Sequence, residues 1–226
     1  MDISERVKSE NQVQPKRRLW LWVILSLLLL FVIAYFGIGG YAFSELTTIG
    51  EHPRFKNSPA SSGTDFENIS FKARGDDTRI SAWYLPMPGS DRVMILVHSR
   101  DANKRDVVSG RYVLFACDLH NAGYAVLMID LRGHGDSEGD PYSFGVYERR
   151  DVLGAVDWVR DHGYENGHIG AHGLSMGTLS ITGAAAVEPS IEILILESTF
   201  ADLYPLILEQ WTPRAVFRTG FFQVYS

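Results

Sequence analysis

The sequence predicts an α/β fold: a mostly parallel sheet flanked by helices, entered through an N-terminal antiparallel hairpin and preceded by one transmembrane helix. Three observations predict it. Near-continuous apolar runs alternate with stretches of helical period, the pattern of parallel strands buried on both faces. A Gly-x-Ser-x-Gly turn, Gly173 to Gly177, separates one such run from a small-residue helix. A run of 25 uncharged residues, Leu19 to Phe43, exceeds the roughly 20 needed to cross a hydrocarbon core as a helix.

Residues 1–18 form a tail with five basic and three acidic side chains that ends in Lys16-Arg17-Arg18. The apolar segment 19–43 follows at once, and Glu45 is the first charge after it. By the positive-inside rule the tail stays in the cytoplasm and the remainder is extracytoplasmic. Trp20 and Trp22 at one end, with Tyr35 and Tyr41 near the other, match interfacial anchors. A cleavable signal is the rival, but the segment outruns an ordinary signal core and Ala42-Phe43-Ser44 is a marginal cleavage site. The expectation is an uncleaved, single-pass anchor, then a linker over 44–66 with no apolar period. Residues 67–226 are the globular domain.

Asn68 to Ala73 and Arg79 to Leu85 flank the turn Gly75-Asp76-Asp77 and read as a hairpin. Arg92 to Val97 and Tyr124 to Ile129 read as buried parallel strands. The helix between them, within Asp106 to Ala122, puts Val107, Tyr112, Phe115 and Leu119 near one face. A second helix, Tyr147 to His162, turns Val152, Ala155, Val156 and Val159 inward and leaves Asp151, Asp157, Arg160 and Asp161 outside. His168 to His172 is the strand before the Gly-x-Ser-x-Gly turn, Thr178 to Val187 the helix after it, and Ile191 to Leu196 the next strand. In such a sheet the site lies at the carboxyl ends of the strands.

Glycines two residues either side of Ser175 are what a tight strand-to-helix turn requires, because a side chain there would strike the neighbouring backbone. That turn would present Ser175 as a nucleophile. Two further motifs stand in order before it: Val97-His98-Ser99-Arg100 and Asp130-Leu131-Arg132-Gly133-His134-Gly135-Asp136-Ser137-Glu138-Gly139. With these motifs the region from about Asn68 to Leu208 resembles the α/β-hydrolase superfamily. More narrowly it resembles bacterial membrane-anchored serine hydrolases of the serine aminopeptidase and prolyl-oligopeptidase-like groups.

The resemblance implies an acyl-enzyme route on an ester, thioester or amide, with Ser175 attacking and the backbone N–H groups of Met176 and Arg100 forming the oxyanion hole. It also flags Ser99, where members usually carry glycine. The triad acid and base should follow the serine in the chain, yet all seven histidines precede Ser175. Glu197, ending the next strand, is a secondary candidate for the acid; otherwise it would bond the Ser198-Thr199 turn. The chain is therefore expected to be a C-terminally truncated portion of a hydrolase, nearly inert, with its last strands and its Asp/His pair missing. The cap would only begin over Phe200 to Ser226, leaving Leu206, Trp211, Phe217 and Phe221 uncovered. A non-catalytic membrane-bound binding or scaffold protein with a relic pocket is the alternative.

Beyond residue 18 the chain holds 16 basic and 24 acidic side chains, which argues against nucleic acid as a partner. Small-molecule or peptide acyl substrates and the membrane are the expected partners. No phosphate-binding glycine loop and no metal-ligand spacing occurs, so neither a cofactor nor a metal is expected. The single cysteine, Cys117, sits among Phe115, Ala116 and Leu119 and reads as a buried structural thiol. His98, His134 and His172 read as structural residues, and the Asp130 to Glu138 segment as a chain reversal.

Overall fold

The computed structural model describes residues 14–47, 57–139, 143–165, 168–202 and 205. The chain divides into two compact units, residues 1–48 and 49–226. The first contains helix α1 (Gln14–Thr47), within which Leu19–Tyr41 has a mean hydropathy of 2.7. Its large apolar side chains are exposed. By length and composition this helix could cross a membrane, and a signal sequence at the same place would meet the same description.

In the second unit every apolar run becomes a strand: β1 (Glu67–Lys72), β2 (Arg79–Leu85), β3 (Val93–Val97), β4 (Ala125–Ile129), β5 (Ile169–Leu174) and β6 (Ile191–Glu197). Between them lie α2 (Arg111–Asn121), α3 (Glu148–Asp161) and α4 (Met176–Ala185). The sheet order is β1-β2-β4-β3-β5-β6. β1, β2 and β4 pair antiparallel, and β4, β3, β5 and β6 run parallel. All four parallel strands therefore deliver their following loops to one end.

Alternation along the strands divides the core in two. Val93, Ile95 and Val97 join Ala125, Leu127 and Ile129 under α3 and α4, while Met94 and Leu96 join Val126 and Met128 under α2. The buried stripe of α2 is Tyr112, Val113, Ala116 and Cys117, with the expected Phe115 and Leu119 only partly buried at its margin. Cys117 is a buried free thiol.

The inner face of α3 corrects one expectation. Asp151 is fully buried, because it shares the inward stripe with Glu148 and Ala155 and meets a cation there. The Arg132 guanidinium donates to it at 3.0 Å from Nε and 2.6 Å from Nη2, and the Arg132 N–H adds a third bond of 2.9 Å. Glu148 is also buried and takes the N–H groups of Ser143 and Gly145 at 2.6 and 2.7 Å, tying the preceding loop to the helix start.

The hairpin turn reaches into the same network. Asp76 accepts from the Thr78 N–H at 3.1 Å, from Arg132 Nη2 at 3.1 Å and from Arg150 Nη1 at 3.3 Å. Burial works against its charge, but the bonds from Thr78 and the Arg132 guanidinium outweigh burial and hold the carboxyl at about 2. A carboxyl held below its unfolded value stabilises the fold above pH 4 and loses that contribution as pH falls through about 2. Asp76→Asn should therefore lower stability at pH 7 by about 1–2 kcal/mol, with the gap to wild type closing between about pH 4 and pH 2. Chemical unfolding across that range checks it; a gap that does not change with pH would contradict the linkage.

Among the described residues β6 has one neighbour, β5, and Ile193, Leu194, Ile195 and Leu196 are between 36 and 52% exposed. Leu206, Trp211, Phe217 and Phe221, and nearly all of the expected cap, lie outside the described residues.

Candidate active site

Strand β5 ends at Leu174 and α4 starts at Met176, so Ser175 alone makes the turn between them. Its backbone sits at φ 51° and ψ −112°, a strained conformation for a residue with a side chain. The two glycines show why the turn is so tight. A Cβ on Gly173 would lie 2.6 Å from the carbonyl carbon and oxygen of Gly177. One on Gly177 would lie 2.6 Å from the Val97 carbonyl oxygen and 2.7 Å from that of His98. The start of α4 thus rests directly on the end of β3.

Several bonds hold the strained residue. The Ser175 N–H donates to the Glu197 carbonyl at 2.9 Å, and its own carbonyl takes the Thr178 N–H at 2.9 Å. The Thr178 hydroxyl lies 2.6 Å from that same oxygen and 2.9 Å from the Thr199 hydroxyl, joining the elbow to the loop after β6. Met176 opens the first turn of α4, whose amides have no partner within the helix and carry the positive end of its dipole.

Arg100 lies in the loop after β3, next to the elbow because Val97 pairs with Gly173. Ser99 has no positive φ, so its backbone is in a conformation that any residue adopts; Asp101 adopts the left-handed conformation instead, at φ 53°. The loop is pinned twice. His98 is buried, with Nδ1 2.7 Å from the Ser99 carbonyl and Nε2 accepting the Leu131 N–H at 2.9 Å, which fixes the neutral Nδ1–H tautomer. Lys104, 1% exposed, donates its N–H to Asp130 at 2.8 Å and its ammonium to the other oxygen of the same buried carboxylate. Asp130 is therefore a brace for this loop as well as part of a chain reversal. Lys104 was not singled out by the sequence.

Glu197, at the end of β6, does not bond its own turn through its carboxylate. Its Oε2 is 3.3 Å from Nε2 of His172, a buried residue of β5. His172 Nδ1 is 2.8 Å from the hydroxyl of Tyr112 on α2. Burial lowers the pKa of His172, with Glu197 pulling the other way, and burial likewise lowers that of His134, whose Nδ1 lies 2.8 Å from the Arg132 carbonyl. His120, His162 and His168 bond backbone carbonyls of Pro86, Trp158 and Asp91. The structure thus gathers Ser175, Met176, the Arg100 loop and Glu197 at one end of the sheet. Each described histidine already has a bonding partner within the fold.

Among the described residues no group of three or more His, Cys, Asp or Glu is placed to hold a metal ion. A groove of about 590 Å³ lined by Asp157, Arg160, Asp161, Tyr164 and Glu165 lies where α3 runs back toward the start of β5, at the amino ends of the strands, opposite the elbow.

Residues 56–223 match the family of X-Pro dipeptidyl-peptidases, S15. The chain belongs to this family. This S15-family chain is 29% identical over 154 residues to the uncharacterized protein YfhR of Escherichia coli, covering 65% of its own length and 51% of the relative. It is 32% identical over 134 residues to lysophosphatidylserine lipase ABHD12 of Gallus gallus, covering 58% of itself and 33% of the lipase. It spans about half the length of the first of these relatives. The Pyrococcus furiosus esterase Pf2001 superposes with a TM-score of 0.60 at 22% identity, over 80% of this chain and 69% of the esterase. That likeness establishes the α/β-hydrolase fold.

Proposed function

We propose that the protein is a membrane-tethered serine hydrolase that cleaves an ester, thioester or amide through an acyl-enzyme. The observation that carries this is Ser175 held at φ 51° between a parallel strand and a helix N-terminus, with glycines where any side chain would collide. Ser175 Oγ attacks the acyl carbon. The N–H groups of Met176 and Arg100 receive the oxygen on which charge develops, and the helix dipole adds to their effect. The S15 family name speaks of a peptidase, and the named relatives include a lipase and an esterase, all of which act on acyl bonds. The proton of Ser175 passes to a histidine outside the described residues. Its acid partner is either Glu197 or a carboxylate that also lies outside them.

A fluorophosphonate probe tests the reading: in the full-length protein it should label Ser175, located by mass spectrometry, and Ser175→Ala should abolish labelling. A wild-type protein that resists the probe would favour the non-catalytic alternative. The division into tail 1–18, membrane segment 19–43, linker 44–66 and hydrolase region from 67 belongs to the same proposal. Lys16-Arg17-Arg18 before the apolar helix supports a cytoplasmic N-terminus. A phosphatase reporter fused after Ser226 should be active only outside the cytoplasm; activity inside would reverse the orientation.

A further inference from the structure

We propose that His172, locked by Tyr112, is a positioning residue that fixes the end of β6 through Glu197 and so holds the backbone of Ser175 in its turn. The inference rests on the reading of Ser175 as the nucleophile. His172 on β5 pairs with Ile195 on β6, and Glu197 is two residues further along β6. The two side chains are thus diagonal neighbours on one face of the parallel pair, within reach of each other. Their contact bridges the last turn of register before the elbow, where Leu174 faces Glu197 and the Glu197 carbonyl takes the Ser175 N–H at 2.9 Å.

Among the described residues β6 pairs with β5 alone and runs into Ser198, itself at φ 55°. The His172 side chain, 4% exposed, is the rigid partner, while the Glu197 side chain is 61% exposed. Phe115 and Tyr112 pack their rings 5.1 and 5.5 Å from the imidazole.

Tyr112 Oη lies 2.8 Å from His172 Nδ1, 3.3 Å from the Val97 carbonyl oxygen and 3.4 Å from that of His172. With the Tyr112 proton directed at Nδ1 the neutral ring carries its hydrogen on Nε2, which faces Glu197 Oε2 at 3.3 Å. A chain of contacts therefore runs from α2 through Tyr112, His172 and Glu197 to the Ser175 amide. In this arrangement Glu197 is the acceptor facing Nε2.

Amide hydrogen exchange of the full-length protein, read at Ser175 by fragmentation mass spectrometry, tests this without depending on catalysis. Glu197→Ala and His172→Phe should each speed exchange of the Ser175 N–H by about five- to tenfold, the loss of one net hydrogen bond. Glu197→Gln keeps an acceptor for the Nε2 hydrogen and should restore wild-type protection. Amides of β3 should not change in any variant. Because the Glu197 side chain is largely exposed, Glu197→Ala remains folded even if His172→Phe does not. Unchanged exchange at Ser175 in Glu197→Ala, or a Glu197→Gln variant as unprotected as the alanine, would overturn the proposal. Fluorophosphonate labelling of the wild-type protein separates the two readings. Absent labelling with this exchange pattern intact defeats the hydrolase reading alone, and wild-type exchange with vigorous labelling defeats the positioning role alone.

Discussion

Lys104→Met is expected to destabilise the α/β unit by about 3–5 kcal/mol, because it strands a carboxylate that the fold has buried. Asp130 is 0% exposed and is held by the N–H groups of Lys104 and Asp136, at 2.8 and 2.9 Å, and by the Lys104 ammonium. That ammonium also reaches Ser81 Oγ at 3.1 Å and Asp136 at 3.2 Å. Without it, two amides remain as donors to a charge in a low-dielectric site, and its desolvation is no longer offset. Lys104→Met with Asp130→Asn removes the charge and keeps an acceptor for one of the two amides, which bond different carboxylate oxygens, so the double variant should recover part of the loss. Equilibrium unfolding in urea measures all three. A single variant within about 1 kcal/mol of wild type would show that the pair contributes no more than an exposed salt bridge. The result also bears on the site, since the same pair anchors the loop that carries Arg100.

Lys104 illustrates what the sequence could not show. It sits in Asp101-Ala102-Asn103-Lys104-Arg105-Asp106, a polar loop in which nothing marks one cation as buried and the next as half-exposed. The distinction comes from a partner 26 residues away, just past the end of β4. Asp151 was misread for a related reason. Helical period places it beside Val152 on the inner stripe, and only the tertiary placement of Arg132 makes a carboxylate acceptable there. The His172 and Glu197 contact depends on β5 and β6 being neighbours in a particular register, which no local pattern encodes.

What was legible had a local cause. β2 runs over Arg79–Leu85 as read, and β3, β4 and β6 differ from expectation by a residue at an end; β3 and β4, buried on both faces, write near-continuous apolar runs. The elbow was legible because a backbone collision leaves its mark in the glycine spacing itself. The outward loops at the carboxyl ends, where specificity would reside, carry no such mark.

Gly177→Ala tests that backbone argument with a single added methyl group. Its Cβ would sit 2.6 Å from the Val97 carbonyl oxygen, 2.7 Å from that of His98 and 3.1 Å from the Val97 carbonyl carbon. The Val97 atoms cannot move aside, because β3 is paired with β4 on one side and β5 on the other along its whole length. The strain must instead lift α4 from the sheet, breaking the packing of Met176, Ile181 and Ala184 in the core. A loss of at least about 3 kcal/mol is expected, at the upper end of overpacking effects. Gly183, in the same helix, supplies the control. A Cβ there meets only the Arg149 side chain at 3.5 and 3.6 Å and the Gly145 carbonyl at 4.0 Å, all ordinary contacts. Gly183→Ala should therefore stabilise the protein by about 0.5–1 kcal/mol through the lower entropy of its unfolded chain and better helix propensity. Thermal and urea unfolding of the two variants decide the matter. A Gly177→Ala protein as stable as wild type would mean that α4 does not rest on β3 as closely as the turn at Ser175 requires, and the case for a strained nucleophile would lose its footing.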